Sequence, residues 1–215
     1  MDLLLIVGNT ALICTIASNF AGLPVCFEYT KKKTTSNASV LPFLAGATCC
    51  SLWFEYGVVS DDFTLILVNI ISAFLQFCYL ICFYTYTPYK SHTKKLIIAA
   101  SIFLFCTYVY CFHLTENHST AVQILGLCGC ISSILTCAAP LASVGQVLKT
   151  KSTESLPFPI ILASFIVTTL WFFYGFLKHD TFLQIPNAIG TMLSGFQLSL
   201  FAILPEKSSK TGTIQ

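Results

Sequence analysis

Apolar positions along this chain come in long unbroken runs rather than in stripes. The runs fall at 3–26, 41–59, 63–86, 96–114, 121–148, 157–177 and 181–204. Each is close to the ~20 residues that an α-helix needs to cross ~30 Å of hydrocarbon. They are rich in Leu, Ile, Phe, Ala and Cys. They also lack the strict alternation of the short segments that build a membrane β-barrel. The pattern predicts an all-α integral membrane protein of seven transmembrane helices. The connections are too short to hold a soluble domain.

Composition agrees. The 215 residues are 55% hydrophobic and 9% charged, with a mean hydropathy of +0.79. A soluble domain carries roughly 25% charged residues, so this chain cannot coat a globule. Disorder, coiled coil and nucleic-acid binding are excluded because they need polar or basic surface.

The net charge of +2 says little, but its placement says more. All basic residues are Lys. Lys31, Lys32, Lys33, Lys90, Lys94, Lys95, Lys149, Lys151, Lys207 and Lys210 fall on one side of a seven-span topology, and only Lys178 on the other. Asp2, Asp61, Asp62, Glu116 and Asp180 fall on the side opposite the lysines. Short Lys-rich loops stay cytosolic, which predicts an extracellular N-terminus and a cytosolic C-terminus. The first run reads as a span because it lacks the basic n-region of a signal peptide and is too long for its apolar core.

The cysteines lie almost entirely inside the runs, where a free thiol acts as a small hydrophobe. No pair has metal-ligand spacing. Two glycosylation sequons occur, one at Asn37 on the expected cytosolic side and one at Asn117 on the opposite side. No catalytic motif is present, so no enzyme activity and no cofactor are expected.

The chain repeats itself. Residues 51–69, SLWFEYGVVSDDFTLILVN, match residues 169–187, TLWFFYGFLKHDTFLQIPN, at a constant offset of 118. The offset pairs Trp53 with Trp171, Tyr56 with Tyr174, Gly57 with Gly175, Asp62 with Asp180 and Asn69 with Asn187. Spans 1–3 therefore recur as spans 5–7, and span 4 links them. The predicted units are a first three-helix repeat at 1–86, a linker helix with its loops at 87–120, a second repeat at 121–204 and a tail at 205–215. An odd linker span leaves the two units parallel, a layout that puts substrate sites at the repeat interface near the membrane midplane.

Several polar residues then ask for a use. Asn69 and Asn187 sit inside apolar spans, where an unpaired amide costs several kcal/mol, so each must face protein. A lone Asn would simply bond a neighbouring helix. Two at symmetric positions suggest a polar pair across a central cavity, suited to a neutral polyol. Trp53 and Trp171 fit either an interfacial aromatic belt or a pore wall whose flat rings meet the C–H faces of a sugar. Pro24, Pro42, Pro140 and Pro157 lie near the cytosolic ends of their spans and suggest a hinge set, with Pro159 competing with Pro157 for the role. Asp62 and Asp180 read either as solvated loop acids or, for Asp180, as a partner of Tyr56 at an outer gate. Glu55 breaks the repeat, facing Phe173, and reads as a snorkelling or pore-mouth carboxylate or a proton-coupling acid.

These features resemble the SWEET family of sugar transporters over about residues 3–205. The likeness rests on the 3+1+3 layout, the LPF before spans 2 and 6, the paired WxxYG elements, Asn69 and the Pro186-Asn187 dipeptide. Trp at both 53 and 171 is similar to animal members.

The resemblance implies facilitative, bidirectional transport of a mono- or disaccharide, with a monosaccharide such as glucose favoured by the two indoles. It implies sugar contacts by Asn69, Asn187, Trp171 and Trp53, hinges at Pro24, Pro42, Pro140 and Pro157, and an outer gate of Tyr56 and Asp180. It further implies a plasma-membrane or Golgi-type membrane setting and a possible homo-oligomer. Two rival readings are a PQ-loop-type amino-acid carrier of an organelle membrane and a heptahelical signalling receptor. The first lacks its Pro-Gln dipeptide here, and the second would not require a repeat.

Overall fold

The computed structural model describes residues 3–154 and 156–204. Asp2, Lys207, Lys210 and the rest of the tail lie outside the described residues. Nine α-helices form among the described residues, with no strand. They are α1 (Leu3–Asn19), α2 (Leu23–Lys32), α3 (Leu41–Val59), α4 (Phe63–Tyr86), α5 (Lys90–Val109), α6 (His118–Thr136), α7 (Ala138–Thr150), α8 (Phe158–Leu177) and α9 (Thr181–Ile203). A 3₁₀ turn at Phe20–Gly22 joins α1 to α2, and a single π-helical turn at Tyr110–Leu114 ends α5. Pairing α1 with α2 and α6 with α7 gives seven passes. Five of the seven are long and apolar enough to cross a membrane by length and composition alone. The other two, α3 and α9, contain Glu55 and the polar series Gln184, Asn187, Ser194 and Gln197.

Each repeat wraps around its third span. In the first, α4 packs between α1–α2 and α3; in the second, α9 packs between α6–α7 and α8. The repeats meet reciprocally, α1 against α8 and α3 against α6. The linker α5 lies on α3, and its π-helical turn lies on α6.

The duplication reaches the backbone. Lys33 and Lys151, 118 apart, both end a helix in the left-handed region, at φ 57° and 54°. Asp61 and His179, again 118 apart, take φ 52° and 55° in the tight turns before α4 and α9. Asp62 and Asp180 then cap those helices. Asp62 accepts from the Leu65 N–H, and Asp180 from those of Phe182 and Leu183. A carboxylate at an N-terminus satisfies orphan donors and complements the helix dipole.

The glycine of each WxxYG element serves the same turn. The Gly57 carbonyl accepts from the Asp62 N–H, and that of Gly175 from the Asp180 N–H. A Cβ on Gly57 would lie 3.0 Å from the Ile66 nitrogen, and one on Gly175 would lie 3.1 Å from that of Gln184. Only glycine lets consecutive spans approach this closely.

The core is divided in a telling way. Near the acidic end one apolar cluster spans both repeats, with Trp53, Tyr56 and Leu65 from the first and Leu125, Trp171, Tyr174 and Leu183 from the second. Near the Lys-rich end each repeat has its own cluster: Tyr29, Val40, Leu80 and Phe83 in one, Val144, Val147, Leu156, Ile161 and Leu200 in the other. Apolar burial thus joins the repeats at one end only.

Candidate functional site: a cavity between the repeats

Asn69, Asn187, Trp53 and Trp171 come together around one cavity at the repeat interface. Its volume is about 160 Å³, well under the ~300–1,000 Å³ of pockets for drug-sized ligands. The two amides are oriented alike. Asn69 Nδ2 donates to the Leu65 carbonyl at 2.9 Å, and Asn187 Nδ2 donates to the Leu183 carbonyl at 2.8 Å. Each bond is to the residue one turn earlier, so it fixes the side chain against its own helix. Among the described residues the amide oxygen and the second N–H take no other bond, which leaves them available to a ligand.

The indoles are fixed across the interface. Trp53 Nε1 donates to Ser133 Oγ at 2.9 Å, and Trp171 Nε1 donates to Thr15 Oγ1 at 2.8 Å. Thr15 and Ser133 are themselves 118 apart, so each repeat supplies the acceptor for the other's indole. Both rings are buried and stand edge-on to the tyrosine one turn later, at 5.3 Å between centroids. Their N–H groups point into protein, which favours the pore-wall use of Trp over the belt.

Above the indoles, toward the acidic end, the same reciprocity closes the interface. Tyr56 Oη donates to Asp180 at 2.7 Å, and Tyr174 Oη donates to Asp62 at 2.8 and 2.9 Å. Lys178 Nζ adds an ion pair to Asp62 at 3.0 Å. Asp62 is only 3% exposed, so neither acid is an idle loop carboxylate. Each caps its own helix and holds the opposite repeat's tyrosine.

Among the described residues, the Lys-rich end is open. A cavity of about 600 Å³ lies between α1 and α8 and shares Thr15 and Asn19 with the central one. A second, of about 280 Å³, lies within the second repeat and shares Ser133 and Asn187. The site is therefore sealed on the acidic side and reachable from the Lys-rich side.

The prolines fall at breaks and helix starts. Pro24 lies in the first turn of α2, just after the 3₁₀ turn, and Pro140 in the first turn of α7, after the α6–α7 break. Both breaks are braced by the third span of their repeat. Tyr79 Oη donates to the Asn19 carbonyl at 2.9 Å, and Gln197 Nε2 donates to the Pro140 carbonyl at 3.3 Å. Tyr79 and Gln197 are again 118 apart. Pro42 lies in the first turn of α3; Pro157 precedes α8, and Pro159 is the residue in the matching register.

Glu55 departs from its expected surroundings. It is 8% exposed, and its Oε2 lies 3.3 Å from the Thr107 hydroxyl of the linker helix. Neither snorkelling nor a pore mouth describes it, because that face of α3 is covered by α5.

Sequence reasoning missed Tyr174 with Asp62, Lys178, Thr15, Ser133 and Asn19. The signal for the first pair was present: the 118-residue offset, applied to both members of Tyr56–Asp180, yields it directly. Thr15 and Ser133 are ordinary hydroxyls in apolar helices, and nothing local marks them.

Comparisons with known proteins agree with this geometry. The family model described as "Sugar efflux transporter for intercellular exchange" matches twice, over residues 5–91 and 123–209. The chain belongs to the SWEET family of sugar transporters. It is 36% identical over 204 residues to Sugar transporter SWEET1 of Drosophila pseudoobscura pseudoobscura, covering 94% of this chain and 90% of that one. It is 32% identical to Sugar transporter SWEET1 of Caenorhabditis elegans, covering 98% and 69% respectively. Among solved structures, a eukaryotic SWEET transporter superposes with a TM-score of 0.85 at 25% identity, covering 93% of this chain and 95% of that one. This SWEET chain is thus a sugar transporter and an integral membrane protein of 3+1+3 architecture, not an enzyme.

Proposed function

We propose that the chain is a bidirectional uniporter for a monosaccharide such as glucose, working by alternating access of two three-helix units, 1–86 and 121–204. The observation that carries this is the small cavity walled by two indoles and two amides at the repeat interface, closed at one end and open at the other. Amide oxygens and N–H groups suit hydroxyls without net charge, and flat rings suit the C–H face of a pyranose. The limited volume favours one sugar ring over two.

In this reading the acidic end is extracellular, the Lys-rich end cytosolic, and the conformation inward-open. Rocking of one unit against the other would break the Tyr–Asp bonds and close the Lys-rich cleft, with the breaks near Pro24 and Pro140 absorbing the bend. Pro42 and Pro157 would pivot the second and sixth spans. The protein would work in the plasma membrane or a Golgi-type membrane, as a homo-oligomer.

Counterflow of labelled glucose in proteoliposomes tests the proposal. Saturable exchange that is indifferent to a pH gradient and lost in Asn69→Ala and Asn187→Ala is expected. Folded, inserted protein that exchanges no monosaccharide would overturn it.

A further inference from the structure

The two-fold match of polar residues around the central cavity is broken at Asn19, as it is at Ser72, whose counterpart 118 residues on is Gly190. Asn19 lines both the central cavity and the cleft that opens from it between α1 and α8. Its counterpart 118 residues on is Cys137, which lines the cavity inside the second repeat. A thiol is a weak hydrogen-bonding group, whereas an amide is a strong one.

The Asn19 amide is held but not used up. Nδ2 donates to Ser72 Oγ at 2.7 Å, which satisfies that nearly inaccessible hydroxyl. Oδ1 takes no hydrogen bond among the described residues. Its backbone is fixed as well: the Asn19 carbonyl accepts from Tyr79 Oη, at the residue where the helix tightens into the 3₁₀ turn. The Tyr79 ring packs over Gly22, where a Cβ would come within 2.5 Å of it. A polar group in an apolar span is costly unless it finds a partner. Here a fixed acceptor lies on the wall shared by the two cavities, and among the described residues no protein donor meets it.

We propose that Asn19 is a third amide in the sugar site, accepting one sugar hydroxyl at the Lys-rich end of the central cavity. This rests on the sugar-uniport reading above and deepens it. Asn69 and Asn187 form a near-symmetric pair, which cannot by itself tell one end of a pyranose from the other. Asn19 gives the cavity a polar end and so orients an unsymmetrical ring. Discrimination between sugars that differ at one hydroxyl then falls to this residue.

The test uses the full-length protein in proteoliposomes, with D-glucose and its series of monodeoxy analogues as competing substrates in counterflow. Two variants are compared: Asn19→Cys, which installs the side chain of the other repeat, and Tyr79→Phe, which frees the bend but leaves the amide. Asn19→Cys is expected to raise the glucose KM by about three- to tenfold, the size of one hydrogen bond. Its maximal exchange rate should stay within about twofold. It should also erase the extra penalty that the wild type shows for one particular deoxy analogue, leaving the other penalties as they were. A purely structural Asn19 would weaken all analogues evenly and lower the maximal rate, as Tyr79→Phe is expected to do, and that result overturns the assignment. A wild type that exchanges no sugar would sink the uniport reading as well. A wild type that exchanges glucose, with Asn19→Cys unchanged in KM and in discrimination, would sink only the role of Asn19.

Discussion

The hydroxyl of Tyr174 sits between the two carboxylate oxygens of Asp62, at 2.8 and 2.9 Å, and so ties the sixth span to the turn before the third. With Tyr56 on Asp180 it forms one of two latches at the acidic end. A hydrogen bond to a charged group contributes about 1.5–3 kcal/mol. Tyr174→Phe and Tyr56→Phe should therefore each raise the population open at the acidic end by about 10- to 100-fold. The readout is native: Cys49 and Cys50 line the central cavity. Their labelling by a membrane-impermeant thiol reagent applied from the acidic side, mapped by mass spectrometry, should accelerate in both variants. Unchanged labelling in the double variant would show that the latches do not control access.

The latches are not equal, because Lys178 pairs with Asp62 and its counterpart Ser60 cannot pair with Asp180. The Lys178 side chain is 32% exposed, so its contribution is modest, up to about 1 kcal/mol. Lys178→Ser should raise cavity labelling by up to about fivefold at low ionic strength. The difference from wild type should shrink in high salt.

The indoles limit the cavity. Trp171→Ala should admit disaccharide, seen as the appearance of labelled sucrose or maltose counterflow, together with a higher KM for glucose. Losing a buried indole also costs about 3–5 kcal/mol of stability, so the thermal midpoint should fall. A variant that remains folded and still refuses disaccharide would move the size filter elsewhere.

Gly175 bears on folding rather than transport. Gly175→Ala puts a Cβ 2.8 Å from the Leu183 side chain and 3.1 Å from the Gln184 nitrogen. Backbone cannot yield as a side-chain tip does, so destabilisation of about 1–3 kcal/mol is expected. Thermal unfolding in detergent measures it, and Gly57→Ala should behave alike. An unchanged midpoint in both would mean that the paired spans are free to separate.

Glu55 faces the linker helix and does not line the central cavity. Glu55→Gln keeps a polar group against Thr107 and should leave glucose counterflow within about twofold of wild type. It should leave the response to a pH gradient unaltered. Proton-driven uptake that Glu55→Gln abolishes would instead make this residue a coupling acid.

The fold was largely legible in the sequence because hydrocarbon imposes one simple rule, a long apolar run for each pass. The residues around the cavity were legible because duplication marks Trp53, Asn69 and their partners twice. What escaped lies where the repeat is silent or broken. Thr15 and Ser133 look like any hydroxyl in a helix until an indole is found 2.8 or 2.9 Å away. Asn19 and Lys178 have no counterpart of their own kind, so no offset could reveal them. Glu55 breaks the pattern, but its neighbour belongs to the unrepeated span, whose position the repeat does not encode.

The crossed donors and acceptors mean that each half of the molecule carries both the plug and the socket of its own closure. Such an interface is isologous in kind, the self-complementary type by which two identical subunits meet about a two-fold axis. Fusing the copies into one chain frees each to drift wherever the reciprocal bonds are not involved. Three departures stand out: an acid toward the linker at 55, a cation at the acidic end at 178 and an amide in the cavity wall at 19. Inherited symmetry supplies the closure of this molecule, and the later individuality of its halves supplies polarity to an otherwise two-fold site.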